Sequence, residues 1–173
     1  HIQQFLERTV AVTKELEQAI IGEVTIQSLP AEPVVYSTQK IDWTLPMEDL
    51  HEQFMPFHKM LGVKSTAAYG VVYPKEEYWK SETFMEPDSG AESYLFCHTD
   101  APSAIMKPAG DYALIYHKGP FEEIYQTYEI LFSYLTANVF ELDGDIHEEC
   151  LLHSIVTKEE ANYVTKISVK VKY

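Results

Sequence analysis

The sequence predicts an α+β fold. Two strand–helix–strand–strand units share one curved antiparallel sheet, both helices lie on one face, and a coiled-coil-type helix comes first. Three observations lead there. Runs of alternating apolar and polar residues are interleaved with two stretches of helical period. That order occurs twice, over about residues 23–100 and again over 108–173, although letter-by-letter identity between the halves is weak. An apolar spacing of three and four residues opens the chain. With 173 residues and 46% hydrophobic content, there is enough for one domain with a real core and hardly for two.

Taken in order, Ile2, Phe5, Thr9, Val12, Leu16 and Ala19 follow the a/d spacing of a coiled-coil seam, and Gly22 is the stop. Nothing caps this helix, so residues 1–22 are expected to be the end of a longer dimerisation or linker helix, with 23–173 as the domain proper. A helix packed on its own domain is the competing reading of the same spacing. "EPVVYSTQKID" reads as a strand. In the helix that follows, Pro46 sits in the first turn, Met47, Leu50, Phe54, Phe57 and Leu61 form one face, and Gly62 is the C-terminal stop. Pro56 lies inside it and is expected to kink or shorten it. "TAAYGVVYP" and "ESYLFCHTD" read as strands, separated by a polar loop with "EPDSG" as its turn.

The second unit repeats the order. "GDYALIYHKG" is a strand; Gly119 and Pro120 open a helix with Glu122 and Glu123 in its first turn, where the dipole favours acids. Its apolar face is Phe121, Ile124, Tyr125, Tyr128, Leu131, Phe132 and Leu135. "HEECLLHS" and "YVTKISVKV" close the chain as strands, joined across "VTKEEAN".

Composition excludes several functions. Thirteen Lys and Arg against 27 Asp and Glu give a formal charge of −14, which repels phosphate backbones, so the chain itself is not expected to grip nucleic acid. The same acidity either draws cations or merely keeps the protein soluble. Glu7, Arg8, Lys14, Glu15 and Glu17 interrupt the opening residues, so no apolar signal segment is present there, and no run of about eighteen apolar residues offers a membrane span. Two cysteines, Cys97 and Cys150, are too few for a disulfide framework and fit a reducing cytoplasm.

The stretch "GDIHEECLLHS" reads either as a metal site or as a strand carrying an inward carboxylate. Side chains two apart share a strand face, which groups Glu148, Cys150 and Leu152 on one side and His147, Glu149, Leu151 and His153 on the other. The first set is apolar apart from its glutamate. Glu148 is therefore expected to face the interior and Glu149 the solvent. His147 and His153 lie about 20 Å apart along an extended strand, and no C-x-x-C or helical H-E-x-x-H is present, so no metal is expected. An inward carboxylate costs several kcal/mol unless paired, hydrogen-bonded or protonated. A structural acid held by neighbouring hydroxyls and a counter-charge for a cationic ligand among aromatic walls both satisfy that requirement. Spacing alone does not choose between them.

The run from Pro108 to Val171 resembles the C-terminal effector-binding domain of MerR-type multidrug-responsive transcription activators, also called the gyrase-inhibitor-like domain. Pro108, Gly110 and Tyr112, the long helix, the acidic strand "D-I-H-E" and a final "Y-x-x-x-I-x-V-x-V" carry the likeness. Over residues 23–100 it is looser and rests mainly on "AYGVVYP". The resemblance implies a pocket acid that meets lipophilic cations, at Glu148, with aromatics at Tyr163 and Tyr69. A further pocket tyrosine of that family has no clean match here: Ile124 stands at its position with Tyr125 beside it, and Glu149 replaces an apolar residue.

These readings lead to a small-molecule sensing domain of a MerR-type regulator, its ligand lipophilic and cationic in the family pattern. Its ligand-binding residues are Glu148, Tyr163, Tyr69, Tyr125 and Ile124. DNA would be reached only through an N-terminal domain missing from this chain, and a homodimer would form through the N-terminal helix. No catalytic residue, cofactor or membrane contact is expected. A stand-alone binding protein, or a hydrolase in which a buried Glu and Tyr activate water, is the alternative on the same fold.

Overall fold

The computed structural model describes residues 2–61, 69–75, 92–99, 101–152 and 157–173, and among these alternating apolar and polar residues produce eight strands and the helix-periodic stretches three α-helices. The helices are α1 (Ile2–Gln18), α2 (Met47–Leu61) and α3 (Ile124–Ala137). The strands are β1 (Thr25–Leu29), β2 (Glu32–Lys40), β3 (Tyr69–Tyr73), β4 (Tyr94–His98), β5 (Ile105–Lys107), β6 (Gly110–Lys118), β7 (Glu141–Leu152) and β8 (Val164–Lys172). The stop at Gly62, the "EPDSG" turn and His153 lie outside the described residues.

All eight strands join one antiparallel sheet in the order β1-β6-β8-β7-β3-β4-β2-β5. The duplication is visible in that order. β2, α2, β3 and β4 form one unit, β6, α3, β7 and β8 the other, and the inner strands β3 and β7 meet with Val71 opposite Glu148. Each unit also lends an edge to the other: β1, just before β2, pairs with β6, and β5, just before β6, pairs with β2. These two strands were not foreseen, because five and three residues are too short for a period to register.

α2 and α3 cover one face, as expected. Ile124, Tyr128, Leu131 and Leu135 of α3 and Phe57 of α2 pack on Val71, Leu95, Ile115, Ile146, Ile167 and Val169 in a single buried cluster. Each such side chain contributes roughly 1.5–3 kcal/mol on burial. α2 runs on through Pro56 to Leu61, so the proline does not end it.

α1 docks on the opposite face. Val12, Leu16 and Ala19, half of the predicted seam, pack against Tyr116, Leu151 and Val164 of the chain's own sheet. The apolar spacing thus finds a partner within the domain, which was the competing reading, while Leu6 and Val10 stay 54% and 52% exposed. Among the described residues no helix is long and apolar enough to cross a membrane.

Candidate functional site

The parity of β7 holds, and it separates two acids onto two very different faces. Ile146, Glu148 and Cys150 point to the helix side, whereas His147, Glu149 and Leu151 point to the α1 side.

On the helix side the Tyr128 hydroxyl donates to Glu148 Oε1 at 2.5 Å, and Phe132 stacks on Tyr128 with centroids 6.0 Å apart. Glu148 remains partly open to water. Burial pushes its carboxyl up to about 7, with the Tyr128 hydrogen bond pulling the other way. The pair is an acid and a phenol in contact, poised to hold or pass a proton near neutrality. A cleft of about 150 Å³ opens on this same side, between β2 and α2. Ile41, Phe54, Phe57 and Leu95 line it, and Lys40 is the charged one among its described lining residues. Leu95 and Glu148 both oppose Val71, so two strand spacings, about 10 Å, separate them.

The other face is strongly concave. Tyr36 on β2 and His147 on β7 are three strands apart in the sheet, yet the Tyr36 hydroxyl lies 3.0 Å from His147 Nε2. A flat sheet would hold those strands about 14 Å apart, so the sheet curls toward this side. Gly70 makes room for the curl: a Cβ there would collide with the Phe96 ring and the Glu148 carbonyl. Phe96 in turn packs edge-on against His147, centroids 5.0 Å apart.

Charges collect inside the curve. Glu149 is 5% exposed and is ion-paired to Arg8 of α1, with His98 Nε2 at 3.4 Å and Lys166 Nζ at 3.9 Å. Burial alone would raise this carboxyl. The His98 hydrogen bond and the charges of His98, Arg8 and Lys166 outweigh it and hold Glu149 well below the usual carboxylate range. Glu15 of α1 completes the clamp, pairing with Lys166 at 2.6 Å and accepting the Tyr116 hydroxyl at 2.8 Å. Burial drives His147 down to about 3, so it is a neutral imidazole. Lys107, 5% exposed, lies over the Tyr112 ring at 4.7 Å.

This corrects the expectation that Glu149 faces solvent. The wet-looking side of β7 is wet in composition only; curvature and α1 bury it, and its acid is neutralised by cations from β8, β4 and α1. The residues expected at the site are dispersed. Glu148, Tyr163 and Ile124 are on the helix side, where Ile124 belongs to the core and Tyr163 packs on Phe121 with centroids 5.7 Å apart. Tyr163 lies four residues from Ile167, the partner of Glu148, or about 13 Å along the strand. Tyr125 is 42% exposed and its hydroxyl accepts from the Gln126 amide. Tyr69 opens β3 opposite Cys97, and its side chain is outside the described residues. The concave cluster of Arg8, Tyr36, His98, Lys107 and Lys166 was missed, since its members are distant in sequence and meet only through the curl. Among the described residues no three His, Cys, Asp or Glu side chains converge to hold a metal ion.

Residues 22–172 match the GyrI-like small molecule binding domain. The chain belongs to that family. No curated protein sequence matches it. Among solved structures, the EcmrR C-terminal domain is similar with a TM-score of 0.65 and 15% identity, over 87% of this chain and 97% of that one. In the EcmrR–DNA complex the similarity spans 96% of this chain but 63% of the other, at 14% identity and a TM-score of 0.65. A hydrolase from Listeria innocua is similar at a TM-score of 0.58 and 12% identity, covering 92% and 97% of the two chains. SAV2435 bound to tetraphenylphosphonium is similar at 0.54 and 15% identity, covering 87% and 94%. At these identities the likeness is one of fold.

Proposed function

We propose that this GyrI-like domain is the small-molecule sensing part of a cytoplasmic transcription regulator. In this reading a lipophilic ligand enters the concave face, and DNA is contacted by a portion outside this chain. The observation that carries the reading is the concave face itself: aromatic side chains, a buried carboxylate and partly buried cations facing one another, an arrangement costly for folding and suited to recognition. EcmrR, whose C-terminal domain shares the fold and whose DNA complex has been solved, supports the regulator reading. Because α1 already lies over Glu149, ligand entry competes with α1 docking. That gives binding a route to whatever precedes the helix. A homodimer through α1 belongs to the same reading, formed by Leu6 and Val10, which stay exposed when α1 is docked.

Tetraphenylphosphonium and its neutral counterpart triphenylphosphine oxide test the reading by tryptophan fluorescence and melting temperature. Saturable binding of at least one of the two, altered when Glu149→Gln or Tyr36→Ala changes the concave face, is expected. Binding that ignores both variants and is lost with Tyr128→Phe would move the site to the helix side. The hydrolase reading would then gain ground, since the Tyr128–Glu148 pair is the arrangement here that suits proton transfer to or from water.

A further inference from the structure

Among the described residues, Lys107 stands on the concave face without an ion pair. Glu149 is saturated by Arg8, His98 and Lys166, and Lys166 is shared with Glu15. Glu32 on β2, directly across from Lys107 in the register, leans to His98 Nδ1 at 3.8 Å. Lys107 has no such partner: among the described residues no carboxylate comes within ion-pair distance of its Nζ, and the face of Tyr112 is its one close neighbour of complementary character. The Tyr112 hydroxyl is turned away, donating to the Pro108 carbonyl at 2.7 Å. A lysine that is 5% exposed and has no carboxylate within ion-pair reach is uncommon. Burial lowers its pKa first of all, and the more distant Glu32 and Glu149 charges partly restore it.

We propose that Lys107 is the ligand-charge reader of the concave face, and that the small molecule this domain takes is an apolar monoanion, a carboxylate on an aromatic or aliphatic body. The inference rests on the reading that a small molecule enters this face, and it specifies the charge. A cation would have to displace Arg8 and His98 from a carboxylate they already satisfy. An anion pairs with an ammonium that no carboxylate holds. The charge is limited to one because Glu32 and Glu149 stand near Lys107 and would repel a dianion. Tyr36, half-buried on the same curve, supplies aromatic surface.

Equilibrium dialysis with naphthoate, naphthamide and naphthylmethylammonium tests it, since the three share one aromatic body and differ in charge. On the native chain naphthoate is expected to bind about tenfold more tightly than naphthamide, the span of one charge-assisted hydrogen bond, and the ammonium most weakly. In Lys107→Met that preference collapses to about twofold or less, whereas Lys118→Met, altering an exposed lysine, preserves it. A melting temperature at or above native shows that Lys107→Met is folded, because an apolar side chain removes an unpaired buried charge. If that variant fails to fold, the ε-carbon resonance of Lys107 in the native chain decides, moving with naphthoate and not with naphthamide. Equal binding of naphthoate and naphthamide, tightest binding of the ammonium, or a preference that survives Lys107→Met overturns the assignment while leaving small-molecule binding intact. Retention of none of the three overturns both.

Discussion

Replacing Glu148 by Gln isolates the energetic consequence of placing an acid on the helix side of β7. The wild-type carboxyl ionises at its ordinary 4.5 when unfolded and at about 7 when folded, because burial disfavours the charged form. An acid with a raised folded pKa holds its proton more tightly in the native state. Its favourable contribution is therefore fully present below pH 4.5 and is lost as pH rises toward 7, after which the penalty is constant. Between pH 5 and pH 8 the linkage relation gives a loss of about 2.5 kcal/mol, which screening by the water still touching the side chain trims to about 2 kcal/mol. Gln is neutral at every pH and its amide oxygen still accepts the Tyr128 hydroxyl. Urea melts of both proteins at pH 5 and pH 8 supply the assay. Taking the stability of Glu148→Gln minus wild type at each pH cancels every other titrating group. That difference is expected to grow by about 2 kcal/mol in favour of the variant from pH 5 to pH 8. A difference that stays flat would mean that Glu148 is not desolvated under α3, and the physical account of this side of β7 would fail.

Two further substitutions probe the concave side. Arg8→Met removes the α1 partner of Glu149 but leaves His98 and Lys166, and Arg8 is itself partly exposed, so a loss of about 1–2 kcal/mol is expected in urea melts. The same variant should be nicked by protease within residues 2–18 before the remainder of the domain; equal protection in both proteins would show that the ion pair does not hold the helix. Gly70→Ala sets a methyl group against the Phe96 ring and the Glu148 backbone, and is expected to cost about 3 kcal/mol or more. Near-native stability for that variant would contradict the curvature argued from Tyr36 and His147.

The architecture was legible because each element carries its own period. Residues of helical spacing at Phe54 and Phe57, and from Ile124 to Leu135, had an apolar face that only a sheet could cover, and the repeated element order made the duplication visible without sequence identity. Alternation along "IHEECLL" fixed which of two adjacent glutamates goes to which face, since a pleated strand has no other choice. What an individual face becomes is not a local property. Glu149 looked solvent-bound because its neighbours are polar, and a strand's own residues do not record that the sheet curls through Gly70 or that α1 lies across the curve. Arg8, His98, Lys107 and Lys166 come from four separate elements, and no spacing in the chain links them. The same holds for α1, whose seam of Val12, Leu16 and Ala19 specifies an apolar partner but not which chain provides it. Periodicity determined the elements and the side each residue faces. Curvature, a long-range consequence of strand pairing and packing, decided which side is buried and which charges meet there.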